Sequence, residues 1–71
     1  MKVVDILESA LAKEKEAISL YRNYLSLLEK AGKADRDIKD IFASLINEEN
    51  RHKQLLEEKL RRFNFYSNKQ T

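Results

Sequence analysis

Seventy-one residues with no cysteine, no proline and one glycine describe one small domain, nearly all helix, and exclude disulfides, thiolate metal sites, iron–sulfur clusters and thiol catalysis. The 14 Lys+Arg stand against 12 Asp+Glu, a balance too even to argue for a nucleic-acid partner and typical of a solvated helix surface. No apolar run approaches the ~18 residues of a membrane span, and the amino terminus MKVVDILESA is too charged for a signal peptide, so the expectation is a cytoplasmic chain with no membrane association.

In chain order, the first apolar series is Val4, Leu7, Leu11, position 14, Ile18, Tyr21, Leu25 and Leu28. Its steps alternate between three and four, the signature of one helix face. A neighbouring row of Val3, Ala10, Ala17, Tyr24 and Ala31, widened by Leu20 and Leu27, makes the stripe too broad for a two-stranded seam. The spacing predicts a helix over about 3–31. Gly32 ends it, as glycine does where the chain must turn left-handed. A turn at 32–35 follows, and either Asp35 or Asp37 can cap the next helix. The second series is Ile38, Phe42, Leu45, position 49, position 52, Leu56 and Phe63, broadened by Ile41, Ile46, Leu55 and Leu60. It predicts a helix over about 36–63 and a polar tail over 64–71.

The expected fold is an all-α antiparallel two-helix hairpin. Chains this short bury too little surface to be comfortably stable alone. A lone hairpin also leaves half of each stripe wet, so a homodimer or higher even oligomer closing a four-helix bundle is expected.

The informative positions are those that break the apolar series: Glu14 in the first helix, Glu49 and His52 in the second. Residues 49 and 52 share a face, one turn apart. Glu14 stands eighteen places before Gly32, while Glu49 and His52 stand seventeen and twenty places after it. An antiparallel hairpin therefore brings all three to one height, ~27 Å from the turn. Burying such groups without partners is costly. A divalent cation removes the cost, since carboxylate and imidazole suit iron, manganese or zinc. One hairpin supplies three ligands, and two related by a two-fold axis supply four Glu and two His, the set of di-iron carboxylate bundles.

Glu14, Ala17 and Tyr21, within EKEAISLY, resemble the first ligand helix of rubrerythrins and bacterioferritins. Glu49-Asn50-Arg51-His52 resembles their second, with its Glu-x-x-His. The resemblance covers about residues 4–63. It implies that Glu14 is a terminal or bridging ligand, that Glu49 bridges two metals and that His52 caps one. It implies too that Tyr21, the candidate catalytic residue, lends a hydrogen bond or an electron. Two iron ions per dimer are then expected. The chain departs from rubrerythrins in lacking a third and fourth helix and a rubredoxin module. Two helices alone bring it closer to encapsulated ferritins, although no encapsulin-targeting tail follows Phe63.

Glu-x-x-His alone is a weak motif, and polar seam residues also serve to set helix register. Three classes of function stay open: oxidation of ferrous iron or reduction of dioxygen or peroxide, metal binding without turnover, and a structural hairpin oligomer. Glu16 and Glu48 fall off the best seam, although Glu48 can flank the site. Lys13, Lys15, Arg61 and Arg62 read as surface. Neither the metal nor an electron donor is specified by these residues.

Overall fold

A computed structural model describes the backbone of residues 2–69 and the side chains of residues 2–63. It contains two helices, α1 (Val3–Lys30) and α2 (Arg36–Lys69), packed side by side as an antiparallel hairpin. The described chain is one layer thick, with principal extents of 56 × 18 × 14 Å.

The turn is built from local hydrogen bonds. Lys33 N–H donates to the Leu28 carbonyl at 2.8 Å, and Gly32 N–H to that of Glu29 at 3.1 Å. These are the two bonds of a Schellman motif, which satisfies carbonyls that α1 would otherwise leave unpaired. The motif requires a left-handed residue, and Gly32 supplies it at φ 69°. On the far side, Asp35 Oδ1 accepts the Ile38 N–H at 2.9 Å, and the Asp35 carbonyl accepts Lys39 N–H at 3.0 Å. Asp35 is therefore the cap of α2. Asp37 lies inside the first turn, where its charge favours the positive end of the helix dipole.

The second helix corrects one expectation. It continues to Lys69, beyond the predicted end at 63, because nothing in Asn64–Lys69 breaks a helix. The apolar period fades there, but Asn, Ser and Tyr each cost only ~0.5 kcal/mol against Ala in a helix. Of the expected tail, residues 70–71 lie outside the described residues.

Packing between the helices is thin. Among the described residues only Ile18 and Leu60 are buried. The chain exposes 5851 Å², against roughly 4,600 Å² for a compact monomer of its mass. The excess includes large apolar side chains: Val3, Ile6, Leu20, Tyr24 and Leu27 on α1, and Ile41 and Leu55 on α2. No described helix is long and apolar enough to cross a membrane.

Candidate metal centre

Glu14 projects from the middle of α1 toward α2, between Leu11 and Ile18 on the same face. Glu49 and His52 project back from α2 at the same height. Each of the three offers a ligand atom, and these atoms lie within 4.8 Å of one another. The convergence follows from residue counts on either side of Gly32 together with antiparallel packing.

The Glu14 side chain is 22 % exposed, and its Oε2 lies 3.7 Å from Nδ1 of His52, whose side chain is 49 % exposed. That separation exceeds a good hydrogen bond. Glu14 Oε2 is in fact buried with no hydrogen-bond partner. An orphaned carboxylate oxygen away from water is costly, and this one faces the cluster. The Glu49 carboxyl is pushed above its ordinary value of 4.5, first by hydrogen bonding with Glu14, then by loss of solvent and by the Glu14 charge. His52 opposes the shift and Glu48 adds to it. With both carboxylates ionised neither can donate, so Glu14 Oε2 is stranded. A proton on Glu49 supplies the missing donor. A cation between the two carboxylates would take that proton's place.

Tyr21 is not brought into the cluster. It lies one heptad toward the turn, half-buried, and its ring meets Phe42 edge-on at a centroid distance of 6.3 Å. Among the described residues its hydroxyl makes no hydrogen bond to the three ligand candidates. Glu16 points away, 69 % exposed in a surface pair with Lys13 at 3.6 Å. Glu48 is exposed but close enough to Glu49 to act on its proton.

One feature was hidden in the sequence. Lys13 and Lys15 read as a single basic cluster, but a step of two along a helix is a rotation of about 200°, which puts them on opposite sides of α1. Lys13 falls among the exposed apolar residues. Lys15 joins Arg22, Lys53, Ser19 and Asn50 in a shallow groove over Ile18 on the other face. Only the α1–α2 pairing reveals that grouping, because Lys53 belongs to the other helix and is remote from Lys15 in sequence.

The donor set fits a divalent transition metal: two carboxylates and an imidazole, with one carboxylate oxygen otherwise unsatisfied. Three ligands are fewer than such an ion needs, and the partly exposed edge of His52 shows where others would enter. The sequence model of the family described as Rubrerythrin matches residues 5–70. No curated protein and no solved structure matches the chain.

Proposed function

The chain belongs to the rubrerythrin family, within the ferritin-like superfamily, and on that premise we propose that two copies close a four-helix bundle around a di-iron carboxylate site. In this reading the site oxidises ferrous iron or reduces dioxygen or peroxide. The observation that carries it is the buried, unpartnered Glu14 Oε2 beside Glu49 and His52.

Glu14, Glu49 and His52 from each copy would hold the ions. When bound, two ferrous ions supply the two electrons that, with two protons, reduce one peroxide to two waters. The chain's own contribution is to fix the ligands on two helices, to flank Glu14 with Leu11 and Ile18 on the same face, and to take up or release a proton at Glu49 as the ions leave or arrive. Tyr21 lies one heptad along α1 from Glu14 and is the proposed donor of a hydrogen bond or an electron.

Ferrous iron added without air should bind near two ions per dimer. Admitting air or peroxide should then raise near-ultraviolet ferric absorbance far faster than in His52→Ala. Tyr21→Phe keeps the ring against Phe42 and removes only the hydroxyl, so slower oxidation with unchanged binding assigns that hydroxyl its role. Iron binding with oxidation no faster than His52→Ala leaves a metal-binding module.

The hydrogen bonding with Glu14 that raises the Glu49 carboxyl favours one other reading, a polar seam that sets register in a structural dimer. Failure to bind iron, manganese or zinc would leave that reading alone.

A further inference from the structure

The face of the hairpin opposite the exposed apolar residues carries a second cluster of side chains, which the metal centre does not use. Lys15, Ser19 and Arg22 follow one another along α1 in steps of four and three, so they share a helix face. Asn50 and Lys53 share a face of α2 in the same way. Together they line a groove of about 300 Å³ floored by the buried Ile18. The lining holds three cations, one hydroxyl and one amide, and no carboxylate.

These groups have no partners among the described residues. Lys13 and Arg62 pair with Glu16 and Glu58, but no ion pair there involves Lys15, Arg22 or Lys53. The side chains of Ser19 and Asn50 make no hydrogen bond there either. Asn50 and Lys53 are half-buried, so part of their hydration is already lost. Cations gathered on one groove repel one another, and an anion among them turns that repulsion into attraction.

We propose that this groove binds a small phosphate-bearing anion of the diphosphate class. Ammonium, guanidinium, hydroxyl and amide groups all donate to phosphate oxygens, and the arginine fork can engage two of them at once. The volume sits at the low end of small-ligand sites and has room for more than one phosphate. Counted from Gly32, Lys53 and Arg22 differ by eleven places in height, about 16 Å of rise. Their long side chains shorten that span from both ends, so two linked phosphates reach cations of both helices.

The same rows show why the anion is short. Glu8 lies one heptad before Lys15 on α1, and Glu57 one heptad after Asn50 on α2, so acids close the outer end of the groove. On the turn side Glu29 and Lys39 offset each other in charge. A nucleic-acid backbone running along the hairpin would leave the positive stretch within one or two helical turns. The site is also separate from the di-iron reading. Lys15, Asn50 and Lys53 each follow one of Glu14, Glu49 and His52 in sequence, and one residue turns the side chain about 100° away from the cluster.

Calorimetric titration of the full chain with sodium pyrophosphate tests the proposal, and one saturable site per chain is expected. Lys15→Gln, Arg22→Gln and Lys53→Gln should each weaken binding about fivefold, the weight of one partly exposed charge pair. Glutamine matches lysine and arginine in helix propensity, and unchanged circular dichroism would confirm that each variant keeps its helices. Lys33→Gln removes the same charge at the exposed turn and should leave the affinity as it was. Absence of saturable binding overturns the proposal, and so does an equal loss in Lys33→Gln, which would mean attraction to overall charge. Pyrophosphate bound to metal instead would be lost in Glu14→Ala and kept in the three groove variants, which overturns the groove and leaves the metal site standing. Citrate, of similar charge, should bind more weakly, and citrate binding as tightly overturns the phosphate class. Adenosine diphosphate as a further arm identifies the source: tighter binding than pyrophosphate assigns a nucleotide, equal or weaker binding a free diphosphate, and either supports the site.

Discussion

Glu14 and Glu16 are chemically identical and two positions apart, yet the helix sends one into the cluster and the other into solvent beside Lys13. Glu14→Ala should therefore abolish metal loading while Glu16→Ala largely spares it, as read by titration of ferrous or zinc ions. Equal losses would mean that the ligands come from another face. The Glu49 carboxyl gives a second prediction, of known sign. It binds a proton more tightly in the folded chain than at its ordinary 4.5. Its contribution to the metal-free fold is thus complete below about pH 4.5 and is lost as pH rises through the elevated value. As pH rises from about 4.5 through that elevated value, the metal-free protein should lose stability more steeply than Glu49→Gln. Parallel profiles would show that the fold does not raise the Glu49 carboxyl. Metal binding displaces the same proton, so affinity should rise across the same window.

At the scale of the elements, the turn holds the register that brings 14 level with 49 and 52. Gly32→Ala has room for its methyl, with nothing within 4 Å, but φ 69° strains any residue with a Cβ. The expected cost is about 1 kcal/mol. Asp35→Ala, which removes the cap on Ile38 N–H, should cost a similar ~1 kcal/mol. Urea unfolding at fixed protein concentration measures both, and no loss in either would show that the turn does not hold the register. The hairpin was legible because a three–four apolar period and a lone glycine leave few alternatives. The end of α2 was not, since fading periodicity says where a helix stops being covered, not where it stops. Nor could composition choose between Asp35 and Asp37, as both acids are able to reach the free N–H groups and only the backbone decides. The cluster was readable by counting from Gly32. The direction of the Tyr21 ring was not, because it depends on Phe42 of the other helix.

For the whole molecule, stability and site are one problem. Two buried side chains are a meagre core for helices of 28 and 34 residues, and both helices leave an apolar face exposed. Covering it would complete the core and the ligand set together, which links metal affinity to assembly by mass action. The basic groove of Lys15, Arg22 and Lys53 lies on the opposite face, so a second copy on the apolar face would leave it outward. Native mass spectrometry of the iron-loaded protein tests the shared site most directly, because it weighs chains and ions in one particle. The expected result is a particle of twice the 8.4 kDa chain, or an even multiple, carrying two ions per pair of chains, and loss of those ions in Glu14→Ala. A single chain retaining iron, or a dimer that takes up no iron, manganese or zinc, would contradict the shared site.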